Sequence, residues 1–296
     1  MSPLRFSADP IARRLRWVML AAMLLNSLIT LLAQPAAYWL NPQSAVRFDA
    51  QPAHTPINPI FDFFLSRGCL AYLAATFVSV AVVFLLVSLL PRLPALISIF
   101  TVLLCHSFVL SNWIAFLFHP GILGFIANCI VLSAAIVLAA FPIPTIAAPA
   151  FASLAIRRLR YVMVSIIVFD AAMTLLGQPA SYWSHPQTAN EANPLFHFFL
   201  AQSWQSFLLV ELLYLAVAFL LVSTLAQTSA LITLFAFLLG HFMALSTWPF
   251  YRYRLGIQVP IAVAILLSAG IVLSAFPTPS PTTSSRRQQR PSPSGL

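Results

Sequence analysis

Three ionisable side chains stand inside long apolar stretches of this sequence, namely Asp170, Glu211 and His241. A carboxylate loses its hydration in lipid, and placing one at the bilayer centre costs at least about 2.5 kcal/mol on insertion scales. Ionisable residues present against that cost are functional by default, and carboxylate and imidazole groups suit binding of a proton, a cation or a small polar solute. We therefore take these three side chains as the core of a candidate site.

Further polar side chains lie between Asp170 and the end of the same apolar stretch. Thr174 and Gln178 follow Asp170 at i+4 and i+8, the spacing of one helix face, and predict a polar stripe that leads to a membrane surface. Glu191 and Asn193 come next, in a polar segment. We include all four as candidate binding residues.

The chain contains the same segment twice, which sets its architecture. Two blocks return 144 positions later, 13–19 as 157–163 and 34–39 as 178–183. Three more return 135 positions later, 58–65 as 193–200, 106–113 as 241–248 and 140–142 as 275–277. This repetition predicts a tandem duplication of one unit.

The first copy carries uncharged side chains at most positions of the candidate site. Asn26 and Thr76 replace the two acids of the second copy, and only the histidine is kept, as His106. Thr30 and Gln34 repeat the polar stripe. We infer that the ancestral unit had a polar site and that only the second copy now holds a charged version.

The composition is that of a membrane protein. Hydrophobic residues make up 60% of the chain and charged residues 7%, with a mean hydropathy of +0.92, whereas about a quarter of a soluble domain is charged. Each copy has four apolar runs close to the ~20 residues that cross a bilayer. The runs are 15–33, 66–90, 94–117, 122–141, 159–177, 204–225, 229–249 and 257–276. The expected fold class is an all-α integral membrane protein with eight transmembrane helices, a tandem duplication of a four-helix unit.

An even number of helices per copy makes both copies cross the membrane in the same direction, as parallel repeats related by a pseudo-two-fold axis along the membrane normal.

All 15 basic residues are Arg. If the first helix starts in the cytoplasm, Arg47, Arg67, Arg252 and Arg254 fall outside and the other eleven inside. The positive-inside rule then predicts a multi-pass protein of a bacterial inner membrane, with both termini cytoplasmic.

In this topology the three ionisable side chains reach one depth. Asp170 and His241 are about 11 and 12 residues above the cytoplasmic ends of their helices, roughly 17 to 18 Å at 1.5 Å per residue. Glu211 is about 7 residues below the outer end of its helix, roughly 10 Å. We expect the three to meet in the outer half of the membrane and to titrate as one coupled group.

Polar and proline-rich segments divide the chain. We assign a cytoplasmic N-terminal segment, a first repeat, a cytoplasmic linker, a second repeat and a tail to residues 1–12, 13–144, 145–156, 157–279 and 280–296. The tail is rich in Pro, Ser, Thr and Arg, which predicts disorder and contact with anionic lipids at the cytoplasmic face. Asn58-Pro59 and Asn193-Pro194 predict short helices with Asn as N-cap and Pro in the first turn.

Small residues line one face of the fourth and eighth predicted helices. Ala135 and Ala139 in the fourth align with Gly270 and Ser274 in the eighth. Such a seam permits close helix contact. It is suited to joining the two repeats or two chains of a homo-oligomer, and the sequence leaves both open.

Several function classes lack their sequence signatures. The chain contains no Lys, which excludes a Schiff-base lysine and a phosphate-binding P-loop, and the common dinucleotide, serine-hydrolase and metalloprotease motifs are missing. Cys69, Cys105 and Cys129 are isolated thiols in apolar runs. We expect no cofactor, no metal and no nucleic-acid partner, because the positive charge follows the membrane topology rather than one folded face.

Asp170-x-x-x-Thr174, followed by Glu191-x-Asn193-Pro194-Leu, resembles a group of small prokaryotic membrane domains of unknown function. Those domains are marked by Asp-x-x-x-Thr and Glu-x-Asn-Pro-Leu, and they tend to carry a Lys in the following helix, which this chain lacks. The match covers two helices of each half. The resemblance implies membrane residence and supplies no activity.

Three functions are compatible with these residues. The leading one is a small permease with an outward-facing intramembrane site for a proton, a cation or a small polar solute. The second is a non-catalytic scaffold or assembly factor in which the polar side chains only lock helices together. The third is an intramembrane metal-dependent hydrolase, in which the acids and the histidine hold a divalent metal that activates water. The sequence favours a protein that is not an enzyme.

Overall fold

The computed structural model describes residues 9–45, 59–118, 122–141, 149–191, 193–248 and 258–276. The regular structure in these ranges is helical. Its α-helices are α1 (Pro10–Leu32), α2 (Ala36–Leu40), α3 (Pro59–Leu65), α4 (Cys69–Leu89), α5 (Arg92–Phe118), α6 (Ile122–Ala140), α7 (Pro149–Leu176), α8 (Pro194–Leu200), α9 (Trp204–Thr224), α10 (Gln227–Thr247) and α11 (Gln258–Ala275).

Eight of these helices are long and apolar enough to cross a membrane: α1, α4, α5 and α6 in the first half and α7, α9, α10 and α11 in the second. They coincide with the eight predicted runs, and the all-helical fold class is confirmed. This is the architecture of a polytopic membrane protein whose outer surface contacts lipid. The peripheral helices are α4 and α9, because only 22% and 17% of their most apolar windows are buried inside the protein.

Helix starts follow local capping chemistry. Asp9 accepts a hydrogen bond from the backbone N–H of Ile11 at 2.9 Å, and Pro10 occupies the first turn of α1. Asn193 does the same for Leu195 at 3.0 Å, so α8 begins at Pro194 as the sequence predicts. The equivalent helix α3 begins at Pro59; its predicted cap, Asn58, lies outside the described residues.

The segments between helices are only partly described. Residues 149–156, which the sequence assigns to the linker, form the first two turns of α7, and residues 142–148 lie outside the described ranges. The tail predicted at 280–296 also lies outside the described ranges. Helix α1 begins at Pro10, inside the predicted N-terminal segment. Cys69, Cys105 and Cys129 are free thiols.

The same pairs of helices make contact in each half. In the first half, α1 contacts α4, α5 and α6, and α5 contacts α4 and α6; in the second, α7 contacts α9, α10 and α11, and α10 contacts α9 and α11. The halves meet where α5 contacts α10 and α11 and where α6 contacts α10. Each half is therefore a bundle built around its first helix, with the third and fourth helices at the shared interface.

Four phenylalanines, which we call the phenylalanine cluster, join the halves: Phe100, Phe141, Phe235 and Phe276. Phe100 stacks on Phe235 with 5.9 Å between ring centroids, and Phe141 stacks on Phe276 at 5.5 Å. Phe100 and Phe276 are also 6.1 Å apart. Three of the four rings are at most 2% exposed. The interface between the halves thus has an aromatic core.

Each half also fixes one arginine in the same way. Arg16 on α1 donates to Ser88 Oγ at 2.6 Å, and its guanidinium lies 5.9 Å from the ring centre of Phe84. Arg160 on α7 donates to a backbone carbonyl of α9 at 3.3 Å, and its guanidinium lies 5.6 Å from the ring of Phe219. The aliphatic stems pack in the bundle while the cationic heads lie near the helix ends.

The small-residue seam of α11 is used inside the second half. A Cβ added at Gly270 would lie 3.7 Å from Val162 of α7, an ordinary van der Waals contact. Gly270 therefore faces the first helix of its own bundle rather than the first half.

Candidate functional site

Asp170 and His241 form the centre of the candidate site. Asp170 lies on α7 and His241 on α10, and Oδ2 of Asp170 is 2.8 Å from Nδ1 of His241. Asp170 is 9% exposed, and the imidazole side chain 13%. Since α7 and α10 are in contact along the bundle, the two groups form a hydrogen-bonded pair shielded from the surroundings.

A third side chain, Tyr214 of α9, completes the group, and the sequence analysis missed it. Its hydroxyl is 3.1 Å from Nε2 of His241. Phe196 and Phe237 hold the phenol ring edge-on, with centroids 5.7 and 5.9 Å away. The available signal was the position of Tyr214 three residues after Glu211, which puts both on one face of a leucine-rich helix.

Both nitrogens of the His241 ring are therefore occupied. When Asp170 is ionised and the imidazole is neutral, Nδ1–H donates to the carboxylate and Nε2 accepts from the Tyr214 hydroxyl. This arrangement satisfies the ring completely. It also links three helices, α7, α9 and α10, through one chain of hydrogen bonds.

Two carboxylate oxygens near this chain have no partner among the described residues. Oδ1 of Asp170 and Oε2 of Glu211 are buried without a hydrogen bond. Glu211 lies close enough to Asp170 and Glu191 to feel their charges. Buried acceptors are satisfied in most proteins, so these two oxygens mark a place where a proton, a cation or a donor group would bind.

The sequence analysis expected Glu211 to meet Asp170 and His241 at one depth in the membrane. Glu211 lies near this pair but is not hydrogen-bonded to either member through Oε2. It lies on the inward face of α9, one turn from Tyr214, and Tyr214 is the residue of that helix bonded to His241. Glu211 itself makes no hydrogen bond through Oε2 to a described residue.

The first half repeats the pair in neutral form. Nδ2 of Asn26 is 3.1 Å from Nδ1 of His106, joining α1 to α5 as Asp170 joins α7 to α10. Asn26 is 8% exposed, and Thr76, at the position of Glu211, is 3% exposed. The geometry of the two sites is alike, and the charge differs.

The polar stripes satisfy backbone groups of their own helices. Thr30 donates to the carbonyl of Asn26 at 2.9 Å, and Gln34 donates to that of Thr30 at 2.9 Å. In the second half, Gln178 donates to the carbonyl of Thr174 at 2.9 Å. Gln178 further exchanges two hydrogen bonds with the backbone of Asn190, at 3.0 and 2.8 Å. The stripe holds the loop after α7 over the end of that helix.

Glu191 and Asn193 act locally in the same loop. The Glu191 carboxylate accepts from the backbone N–H of Asn193 at 2.8 Å, and Asn193 caps α8. Both residues follow the end of α7 in the sequence, after Asp170. Among the described residues, no three His, Cys, Asp or Glu side chains cluster as metal ligands. The hydrolase alternative therefore lacks an assembled ligand set in this part of the chain.

Gly177, the first residue after α7, lies against the indole of Trp248. A Cβ added there would overlap the ring, within 2.7 Å of Cζ3. We expect Gly177→Ala to lower the free energy of unfolding by about 1 to 3 kcal/mol, the range for overpacking a filled site. Thermal unfolding of the purified protein in detergent measures this, and Trp248→Phe in the same chain should restore part of the loss.

Gly240→Ala is the matched control for this prediction. Its added Cβ would meet only Phe125, at 3.8 Å, and an alanine inside a helix gains about 0.5 to 1 kcal/mol over glycine. The two substitutions should thus shift the melting temperature in opposite directions. Equal shifts would show that the indole does not restrict Gly177.

Comparison of the chain with protein-family models, with curated proteins and with solved structures gave no match.

Proposed function

We propose that this protein is a small permease of a bacterial inner membrane and that it binds a proton, a cation or a small polar solute at the Asp170–His241 pair. The observation that carries the proposal is the Asp170 carboxylate. One oxygen is bonded to His241, and the other is buried inside the helix bundle without a partner. A transport site needs such a group, since it must take up and release a ligand within the membrane.

Two contacts between the halves support the proposed parallel duplication. Phe100 stacks on Phe235, and Phe141 on Phe276, and each is 135 positions from its partner. A residue that contacts its own repeat counterpart lies on the axis that relates the repeats. Because Phe141 and Phe276 both lie just beyond the ends of their helices, that axis suits parallel repeats; inverted repeats would put them at opposite membrane surfaces.

The orientation is proposed from the arginines. With eleven of the 15 inside, both termini and the segment before Arg157 are cytoplasmic, and the loop that contains Glu191 is periplasmic. We expect a cytoplasmic fluorescent reporter to work at either terminus or after residue 145, and a periplasmic phosphatase reporter to work after Glu191. A phosphatase signal from the linker together with a cytoplasmic N-terminus would contradict the parallel arrangement.

The proposed partners follow the same topology. The bilayer surrounds the bundle, and anionic lipids bind the arginines at the cytoplasmic face. We also propose that the small-residue seams join helices within one chain, because Ala139 of α6 packs against the hydrophobic core and Gly270 of α11 packs against α7.

A scaffold or assembly factor is the second candidate function, and a specific observation favours it. The His241 ring is fully hydrogen-bonded and connects α7, α9 and α10. Such a lock would stabilise the bundle without binding any ligand. In that case the Asp170 carboxylate would contribute to the free energy of unfolding, and the protein would transport no ion.

Ion flux into proteoliposomes separates the two candidates. Vesicles loaded with a pH-sensitive dye and energised by a potassium gradient with valinomycin report proton entry, and radiolabelled sodium reports a metal cation in parallel. A permease raises one of these rates above protein-free vesicles. If the wild-type protein raises neither, the permease proposal fails for these ions and the scaffold is favoured.

A further inference from the structure

We infer that the ligand of this site is the proton and that the Tyr214 hydroxyl relays it between Glu211 on α9 and His241 on α10. This inference rests on the proposed permease function and gives it a substrate and a path. The path contains four side chains in order, Glu211, Tyr214, His241 and Asp170. Its two ends are the carboxyl groups that each have a buried oxygen without a partner among the described residues.

The middle of the path is already hydrogen-bonded. Tyr214 Oη is 3.1 Å from His241 Nε2, and His241 Nδ1 is 2.8 Å from Asp170 Oδ2. Phe196 and Phe237 stand edge-on to the phenol ring, so its hydroxyl can turn while the ring stays in place. The Tyr214 hydroxyl is the group of α9 that is bonded to the imidazole.

Glu211 is placed to meet that hydroxyl. It precedes Tyr214 by three residues, and such pairs have Cβ atoms about 5 to 6 Å apart on a helix surface. Phe207, Ala218 and Val222 are the buried residues of α9, and Glu211 and Tyr214 fall on the same inward face between them. Oε2 of Glu211 makes no direct hydrogen bond to the phenol, so the proposed transfer between them passes through one water or follows a rotation of the Glu211 side chain.

One proton can cross this chain with all charges balanced. The O–H bond of a protonated Glu211 breaks and its proton joins Tyr214 Oη, while the original phenol proton moves to His241 Nε2. This leaves Glu211 as a carboxylate and His241 as an imidazolium beside Asp170. The Nδ1–H bond then breaks and its proton joins Asp170 Oδ2, which makes the acid neutral and leaves the imidazole neutral with its proton on Nε2. Release from Asp170, turning of the hydroxyl and exchange of the imidazole proton from Nε2 back to Nδ1 through water reset the chain.

The first half lacks this path although it keeps the histidine. Thr76, Ser79 and Asn26 stand at the positions of Glu211, Tyr214 and Asp170. Neither end carries a carboxyl group, so His106 has no acid at either of these positions with which to exchange a proton. The first half is therefore an internal comparison, with similar geometry and no relay.

The charged groups around the relay come from each element packed against it. They are Asp170 on α7, Glu211 on α9, His241 on α10 and Glu191 in the loop after α7. Removing only the phenol oxygen leaves all four in place. Tyr214→Phe is therefore the sharpest change available, because it breaks the path without altering charge.

The test measures proton and sodium flux in the proteoliposome assay for the wild type, Tyr214→Phe and Tyr161→Phe. Tyr161 lies on α7 and is 70% exposed, so it controls for loss of a tyrosine. We expect Tyr214→Phe to slow proton flux about a hundredfold, the scale of general acid–base catalysis, and Tyr161→Phe to match the wild type. Deuterium oxide should slow the wild type.

Glu211→Gln gives a second measurement that leaves the Tyr214–His241 hydrogen bond in place. It should slow proton flux to the same extent as Tyr214→Phe, even if Tyr214→Phe lowers the melting temperature. Full proton flux in either variant overturns the relay and leaves the permease proposal standing. Sodium flux without proton flux in the wild type also overturns only the relay. Absence of both fluxes removes the relay and also removes the permease function for these two ions.

Discussion

Replacing Asp170 with Asn is expected to abolish ion flux and to leave the helix bundle folded. The first half already contains an Asn–His pair, Asn26 with His106 at 3.1 Å, so an amide fits this geometry. An amide keeps one hydrogen bond to the imidazole but neither carries charge nor takes up a proton near neutral pH. We expect flux to fall about a hundredfold or more, measured in proteoliposomes alongside a melting curve of the purified variant.

The reciprocal substitution is the control. Asn26→Asp gives the first half a carboxylate but no tyrosine and no second acid, since Ser79 and Thr76 stand at those positions. It should leave the flux close to the wild-type rate. Equal loss of flux from Asp170→Asn and from a first-half substitution such as His106→Gln would contradict unequal roles for the halves. A melting temperature that falls with the flux would favour the scaffold instead.

The eight helices could be predicted because their signal is local. Each apolar run is long enough to cross a bilayer, and runs of that length have few alternative structures in lipid. The starts of the short helices α3 and α8 could also be predicted, since in an Asn-Pro pair Asn favours the N-cap and Pro the first turn. The start of α7 was not predicted. Three prolines near residue 145 suggest a linker up to residue 156, whereas the helix begins at the last of these prolines, Pro149.

The site required information about which helices touch. Asp170 and His241 could be paired only through the repeat and an estimate of depth, and those estimates say nothing about rotation around the helix axis. Tyr214 was missed for that reason, since a tyrosine in a leucine-rich helix is usual at a membrane surface. The roles of Thr30 and Gln178 were also hidden, because their side chains bond to backbone carbonyls one turn away.

Phe235→Ala should have the largest effect on stability, because it empties the centre of the phenylalanine cluster. Phe235 is 1% exposed, stacks on Phe100 at 5.9 Å and lies 6.5 Å from Phe141. In lipid the halves are held by packing rather than by exclusion of water, so a cavity at this position removes part of the contact between them. We expect a loss of about 3 kcal/mol in the free energy of unfolding, measured by denaturant titration in mixed micelles.

Phe77→Ala is the matched control for this loss, because Phe77 is 61% exposed on the lipid-facing side of α4 and its removal creates no internal cavity. It should cost much less than Phe235→Ala. A double-mutant cycle with Phe100→Ala then isolates the stacked pair, and we expect a coupling of about 0.5 to 1.5 kcal/mol, the value of an aromatic contact beyond its buried area. A coupling of zero, or equal losses at Phe77 and Phe235, would mean that the cluster does not hold the halves together.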